Sequence, residues 1–205
     1  MRGRAVVVGL MLSVLMIVSA NAGLSIGAKL WMQELSIESM GGEITADGAG
    51  VGPTASIDLS ENLWLSGSWV VSVLDFEDDS DMTTQDAEAV LALSLDWIDL
   101  GIGFRYSEDE FPDQSKTRKY GPMAYVGLGS SFGDSPLGWY AAASWMFADL
   151  NDDWVAGEHF NAEGGLSLYL DPISATVGYR YKDHYDFDDV DITYQGVTAS
   201  ASISF

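Results

Sequence analysis

The stretch Val197-Thr198-Ala199-Ser200-Ala201-Ser202-Ile203-Ser204-Phe205 ends the chain, and apolar residues alternate in it with small polar ones up to a terminal aromatic residue. Successive side chains of a β-strand point to opposite faces, so this alternation predicts a strand with one apolar face and one polar face. The same period of two recurs in earlier segments, the first of them starting at Gly23. The pattern therefore predicts an all-β protein of about ten strands.

The first 22 residues have the pattern of a cleaved secretion signal. Two arginines precede an apolar run from Ala5 to Val18, and Ala20 and Ala22 supply the small residues of an A-x-A cleavage site. We expect cleavage after Ala22. The mature chain, residues 23–205, is short enough for a single all-β domain.

Composition excludes several classes of function. The chain carries 31 acidic against 9 basic residues and a formal net charge of −22, which argues against nucleic-acid binding. Cysteine is absent, which excludes a disulfide framework and thiol catalysis. After the signal, no apolar stretch is long enough for a spanning helix, so insertion into a membrane would require a closed barrel. No cofactor motif is present, and we expect no cofactor.

The connections between the predicted strands alternate in length. Short turns of about two to six residues fall at Ser60-Glu61-Asn62, Asp96-Trp97, Gly133 to Pro136 and Asp171-Pro172, whereas the other connections span roughly 8 to 15 residues and are acidic. Transmembrane barrels have this asymmetry, with short periplasmic turns and long outer loops. It places both chain ends on the side of the short turns.

The two faces of the predicted strands differ in a way that favours a membrane barrel. One face is aliphatic, with aromatic residues near the strand ends, as in the aromatic girdle of a membrane barrel. The other is mostly Gly, Ser, Thr and Ala, which suits a narrow lumen better than open water. The alternative is a soluble sandwich or a lipocalin-like barrel, in which the apolar face would form the core.

The terminal strand, with Ile203 and Phe205 on its apolar face, resembles the C-terminal strand of bacterial outer-membrane β-barrels, and the secretion signal agrees with that resemblance. The chain is similar in general design to the compact OmpA, OmpX and OmpW-like proteins. The resemblance implies an up-and-down antiparallel barrel in the bacterial outer membrane, in contact with lipid and lipopolysaccharide. It also implies that Ile203 and Phe205 form the signal read by the barrel assembly machinery.

The short turns predict charge pairs inside the lumen. A two-residue turn at Asp171-Pro172 sets Glu163 opposite Arg180, and one at Asp96-Trp97 sets Glu88 opposite Arg105, all on the polar face. Paired charges are expected there because an unpaired charge in a confined site is costly. The other inward-facing bases are Lys29 and Lys182. Inward aromatic residues are expected to fill what remains of so narrow a barrel: Trp31, Trp64, Tyr125, Tyr140, Tyr169 and Tyr194. The function these features favour is a structural or surface role, or a narrow passage for small solutes.

The acidic outer loops have two interpretations. Carboxylates are the hard oxygen ligands that divalent cations such as Ca²⁺ prefer, but none of the loops has the spaced D-x-D-x-D-G pattern of a specific site. The alternative is a solvated, salt-adapted surface. The basic group Lys116, Arg118 and Lys119 is expected to contact a neighbouring acidic loop, with lipopolysaccharide phosphates as the alternative partner.

A second resemblance concerns catalysis. Asp183-His184 and Asp78-Asp79 resemble the rim Asp/His and Asp/Asp pairs of the omptin surface proteases, which are also ten-stranded barrels. In that family one residue separates the Asp from the His, whereas adjacent residues such as Asp183 and His184 face opposite sides of a strand. His159 has neither a serine-protease nor a zinc spacing around it. We therefore expect no enzyme, with a surface protease as the alternative.

Overall fold

The computed structural model describes residues 23–39, 42–77, 80–113, 115–150, 159–186 and 190–205. The predicted signal peptide, residues 1–22, lies outside the described residues, and so does the acidic pair Asp78-Asp79. Among the described residues, no helix is long and apolar enough to cross a membrane.

Within the described residues, ten antiparallel strands form one closed up-and-down barrel. Each strand pairs with its neighbours in sequence, and the last pairs with the first. The strands are β1 (Leu24–Ser39), β2 (Gly42–Ser60), β3 (Leu63–Phe76), β4 (Asp81–Leu95), β5 (Ile98–Glu110), β6 (Lys116–Ser131), β7 (Leu137–Met146), β8 (His159–Leu170), β9 (Ile173–Asp186) and β10 (Val190–Ser204).

The four short turns lie at one end of the barrel, which we call the turn end, and the opposite end is called the loop end. Two-residue turns join β4 to β5 at Asp96-Trp97 and β8 to β9 at Asp171-Pro172, as the sequence predicts. Asp96 has a φ of 58°, a left-handed conformation that aspartate tolerates better than most residues. These tight turns fix the register of both hairpins.

The connections at the loop end differ from the prediction. Most of the segment from Met40 to Gly50, which the sequence predicts to be a loop, belongs to β2, and the acidic segment after residue 80 belongs to β4. Ladder pairs such as Glu38 opposite Glu43 continue the hairpins past their apolar part. Hydrogen bonds between strands do not depend on side-chain polarity, so a hairpin extends beyond the point where its outer face becomes polar. The connection from β7 to β8 remains long.

The outer wall carries an exposed apolar band next to the turn end. Leu100 and Val177 are 50% and 51% exposed, and aromatic residues such as Trp69, Phe104 and Tyr179 lie further from the turns. So many exposed apolar side chains on one continuous surface indicate contact with an apolar solvent. The outer face of the barrel is therefore aliphatic with aromatic residues, as the alternation predicts.

The core of the molecule is its lumen. One cluster of buried residues lies toward the loop end and consists of Trp31, Leu35, Ala46, Val70, Leu74, Met82 and Tyr194. A second lies along β4, β6 and β7 and consists of Val90, Ala92, Met123 and Met146. Side chains from several strands thus pack together inside the barrel. The same packing occurs in narrow barrels whose interior is just wide enough for side chains to fill.

The barrel closes where the first and last strands meet. β1 and β10 are paired from Ser25 opposite Ser204 to Glu38 opposite Asp191. The backbone N–H of Phe205 donates to the carbonyl oxygen of Leu24 at 2.8 Å. The two chain ends of the described barrel are therefore neighbours at the turn end.

Candidate functional site

The register places the predicted acid and base pairs opposite each other. Glu88 on β4 faces Arg105 on β5, and Glu163 on β8 faces Arg180 on β9. The arginines are buried, with exposures of 0% and 1%. Each opposition follows from a two-residue turn, which leaves only one register for the strands that it joins.

The ion pairs follow the predicted opposition on one hairpin and depart from it on the other. Arg105 binds Glu88 through its Nη2 atom. Glu163, however, binds Lys29 of β1, with 2.5 Å between Lys29 Nζ and Glu163 Oε2. Arg180 instead has Asp86 Oδ1 at 3.3 Å and Glu88 Oε2 at 4.0 Å. Opposition in a ladder does not decide the partner here because long side chains reach across the narrow lumen.

Asp86 is the functional residue that the lumen prediction missed. It lies on β4 and is 3% exposed, and its carboxylate contacts both Arg180 and Lys182, the latter with 2.9 Å from Nζ to Oδ2. Strands β4 and β9 are five strands apart in either direction around the ten-stranded barrel. These ion pairs therefore cross the lumen from one wall to the opposite wall. Asp86 is two residues from Glu88 on the same strand, so the two side chains point to the same face, and this spacing predicts its inward position.

Hydrogen bonds and aromatic rings complete the network. Arg180 Nε donates to Asn161 Oδ1 at 2.5 Å, and Lys182 Nζ donates to Ser107 Oγ at 3.0 Å. The Arg180 guanidinium lies 4.6 Å from the ring centroid of Trp31, and Lys182 Nζ lies 4.6 Å from that of Tyr194. Cations over aromatic faces are stabilised when they are desolvated. The two buried bases thus have both ionic and aromatic partners.

The apolar cluster around Trp31 lies beside this network and continues it toward the loop end. Leu35, Leu74 and Met82 are fully buried on the inner wall. The sequence contains a signal for this cluster in the stretch from Trp69 to Leu74, where apolar residues occupy both faces of the strand. Such a run is typical of a strand buried on both sides. The charge network and the apolar cluster thus occupy adjacent parts of the lumen.

The lumen is open on the other side of the network. A cavity of about 390 Å³ is lined by residues of β4, β5, β6, β7 and β8 near the turn end, among them Asp99, Tyr125 and Tyr140. A second space of about 220 Å³ is lined largely by serines and reaches Lys29 and Glu88. The predicted lumen aromatics Trp64, Tyr125 and Tyr140 lie here half-buried, whereas Tyr169 is exposed near the turns.

The predicted rim residues are separated by the barrel wall. His184 points into the lumen, where its imidazole ring lies against that of His159, with 3.8 Å between the ring centroids. Both are fully buried, and burial lowers the pKa of each imidazole well below its usual value. Asp183 lies on the outer wall and accepts a hydrogen bond from Tyr181 Oη at 3.1 Å. Asp183 and His184 therefore form no pair, as the alternation of side chains predicts.

The basic residues Lys116 and Arg118 of β6 contact acidic residues of the paired strand β5. Arg118 Nε lies 2.5 Å from Glu108 Oε2, and Lys116 Nζ lies 2.6 Å from Glu110 Oε2. Hydrogen bonds from Tyr106 and Arg118 lower the pKa of Glu108 to about 2. These two bases thus pair with acidic residues of their own hairpin, whereas the sequence predicts contact with a neighbouring loop.

The predicted assembly residues lie at the end of the last strand, away from the lumen network. Phe205 is exposed at the end of β10, and Ile203 lies on the outer wall. In the part of the chain that the structure describes, no group of three or more His, Cys, Asp or Glu side chains is arranged to hold a metal ion.

Comparison with known proteins relates this barrel to solved structures. No protein-family model and no curated protein sequence matches the chain. The translocator domain of the autotransporter NalP from Neisseria meningitidis matches with a TM-score of 0.52 and 11% sequence identity, over 100% of this chain and 98% of that chain. The outer membrane protease OmpT from Escherichia coli matches with a TM-score of 0.55 and 11% identity, over 91% and 97%. The fold is that of bacterial outer-membrane β-barrels. At this level of identity the likeness concerns the fold alone.

Proposed function

We propose that the protein is a structural, surface-exposed barrel of the bacterial outer membrane whose lumen is closed to diffusion. The observation that carries this proposal is the pair of ionic contacts from Asp86 on β4 to Arg180 and Lys182 on β9. These strands face each other across the barrel, so side chains that meet there span the lumen, which supports a closed passage. The exposed apolar band supports the location in a lipid bilayer.

The orientation and partners of the barrel belong to the same proposal. The turn end faces the periplasm, and the loop end, where acidic residues extend the hairpins, faces the outside. Lipid and lipopolysaccharide surround the band, and the barrel assembly machinery acts on the terminal strand with Ile203 and Phe205. Divalent cations would bind the acidic extensions only as a diffuse ion atmosphere, because no clustered ligand set occurs among the described residues.

Conductance in a planar bilayer tests the closed lumen. The wild-type barrel should insert without producing stable unitary currents. The double variant Asp86→Ala/Arg180→Ala removes the contact across the lumen and should produce measurable currents in the fraction that folds. The control variant Lys116→Ala/Glu110→Ala removes an ion pair at the outer rim and should stay silent. Stable currents from the wild type would contradict the proposal.

A narrow passage for small solutes is the second candidate. The observation that favours it is the cavity of about 390 Å³ at the turn end. A passage would require the network around Asp86 to move aside. A wild-type unitary current that increases in the double variant would favour this candidate over the closed barrel.

We further propose that the barrel is not a hydrolase. The protease OmpT shares the fold, but here Asp183 and His184 lie on opposite sides of the wall, and His184 is buried against His159. A peptidase assay on the purified barrel tests this. Cleavage that is lost in both Asp183→Asn and His184→Ala would overturn this part of the proposal.

A further inference from the structure

The cavity at the turn end has one carboxylate that is held in place on one side and open on the other. Asp99 Oδ1 accepts hydrogen bonds from Ser94 Oγ at 2.5 Å and from Trp64 Nε1 at 3.5 Å. Ser94 Oγ in turn accepts from Trp64 Nε1 at 3.1 Å. Among the described residues, nothing donates a hydrogen bond to Asp99 Oδ2. The carboxylate is therefore oriented by neutral donors, with one oxygen available.

Gly127 shows that this oxygen and the phenol of Tyr125 face the same space. A Cβ atom built on Gly127 would lie 2.8 Å from Tyr125 Oη and 3.2 Å from Asp99 Oδ2. A side chain at position 127 would collide with the phenol, so glycine allows the two groups to lie close together over β6. Tyr125 also packs edge-on against Trp64, with 5.9 Å between ring centroids. The available oxygen thus lies beside an aromatic wall in a cavity of about 390 Å³.

No base neutralises Asp99. Across residues 23–205, as far as the structure describes them, no Lys or Arg lies within ion-pair distance of its carboxylate, whereas Glu88, Glu163 and Asp86 all have basic partners. Arg105 lies on the same strand but six residues away, roughly 20 Å along an extended strand. At that distance salt largely screens the attraction between the two charges.

We propose that the turn-end cavity is a binding site for a small organic cation with an ammonium group. Asp99 Oδ2 is the counter-charge, and the rings of Tyr125 and Tyr140 line the apolar side of the ligand. Aromatic faces beside the oriented carboxylate of Asp99 suit an alkylated ammonium ion, whose charge is diffuse. A hard metal ion would require several oxygen ligands. The site does not depend on whether the barrel conducts, because it opens at the turn end.

Calorimetric titration of the refolded barrel with choline tests this site. Choline should bind. Its uncharged carbon analogue 3,3-dimethylbutan-1-ol should bind with a Kd at least about tenfold higher, because it lacks the charge. Asp99→Asn should weaken choline binding by about the same factor and leave the analogue unchanged. Asp134→Asn, which removes an exposed carboxylate from the β6–β7 turn, is the matched control and should leave choline binding unchanged.

Three results would overturn the proposal: no choline binding, equal binding of choline and its analogue, or equal loss in Asp99→Asn and Asp134→Asn. The last result would mean that the overall negative charge attracts the cation. Migration before and after boiling verifies that each variant is folded.

A labelling experiment tests the same site without a reversible ligand. The chain has no cysteine, so Ala142→Cys gives one thiol on the cavity wall and Asn62→Cys gives an exposed reference thiol in the β2–β3 turn. Trimethylammonium-ethyl and sulfonato-ethyl methanethiosulfonate differ in the sign of their charge. The ratio of cationic to anionic labelling rates should be several-fold higher for Ala142→Cys than for Asn62→Cys. Asp99→Asn should remove that excess. Equal ratios at the two positions would contradict the site.

Discussion

Arg180 is the residue at which the interactions of the lumen meet. It contacts Asp86, Glu88, Asn161 and the ring of Trp31, and it is 1% exposed. A buried ion pair is weak evidence for stability, because its members lose hydration when the barrel folds. Its loss is costly all the same, because removal of one member leaves the other charge buried and unpaired.

Arg180→Met should destabilise the barrel by about 1 to 3 kcal/mol, because Asp86 keeps Lys182 and Glu88 keeps Arg105, but each loses its second base. Equilibrium unfolding in lipid vesicles measures this free energy. Lys116→Met at the outer rim is the control and should cost about 0 to 1 kcal/mol, because its ion pairs are exposed. Equal losses of unfolding free energy in the two variants would contradict a larger contribution of the buried ion pairs.

The two lumen histidines predict a dependence of stability on pH. Burial lowers the pKa of His159 and of His184, and the neighbouring cation Lys182 lowers that of His184 further. The folded barrel thus binds fewer protons than the unfolded chain, so its stability should fall as pH drops below about 6.5, the usual pKa of histidine. Unfolding midpoints at pH 8 and pH 5.5 measure this loss. It should shrink in His159→Gln/His184→Gln, and an undiminished loss there would assign it to other groups.

At the scale of single strands, the two faces should differ in their tolerance of charge. Leu91→Lys, Leu100→Lys and Val177→Lys place a charge in the apolar band and should cost roughly 2 to 4 kcal/mol if they lie at the bilayer midplane. Ser94→Lys and Thr176→Lys place it on the inner wall near the open cavity and should cost less. Unfolding in vesicles compares the five variants. Equal costs on both faces would show that the outer wall does not contact lipid.

The last strand should also decide assembly in cells. Its outer face ends in Ile203 and Phe205, and its pairing with β1 closes the barrel. Deletion of Phe205 should lower the amount of folded barrel in the outer-membrane fraction, because the terminal aromatic residue resembles the assembly signal. Deletion of Gly23, the first residue after the predicted signal peptide, is the control for loss of one residue at the same seam. Normal assembly without Phe205 would remove the role assigned to it.

Strands and turns are the level at which the sequence was most informative. Alternation identified the faces of β1, β4, β5 and β10, because a strand between lipid and lumen has a strict period of two. Turn residues such as Asp96-Trp97 fixed two hairpin registers. The extension of β2 and β4 into acidic segments was not predictable from side chains, because backbone hydrogen bonds hold it.

The lumen partners were less predictable for a geometric reason. Glu163 and Arg180 are neighbours in the ladder, but contacts across the lumen depend on strand tilt and on which strands face each other. Alternation specifies neither. The pairing of Asp86 with β9 and of Glu163 with β1 therefore required the three-dimensional structure. The contact between His159 and His184 follows from the β8–β9 register, because the two residues are opposite each other at the loop end of that hairpin.

At the scale of the whole molecule, the closed barrel predicts how the purified protein behaves in lipid. Refolded residues 23–205 should give a β-type circular dichroism spectrum and migrate faster in a gel before boiling than after, because a closed barrel without free edges resists detergent unfolding. A helical spectrum would contradict the fold. The double variant Asp86→Ala/Arg180→Ala should keep the β-type spectrum but lose the migration difference at a lower temperature than the wild type.

Leu24 and Phe205 are neighbours at the seam between β1 and β10. The same barrel could therefore be built from a chain that begins at a different strand. A short linker between these residues would convert the seam into one more turn, and new ends could be opened at Asp171-Pro172 without removing any ladder of hydrogen bonds. Such a circular permutant would end in Leu170 instead of Phe205. Its ability to fold in vitro, compared with its delivery in cells, would separate what the barrel needs to be stable from what the cell needs to recognise it.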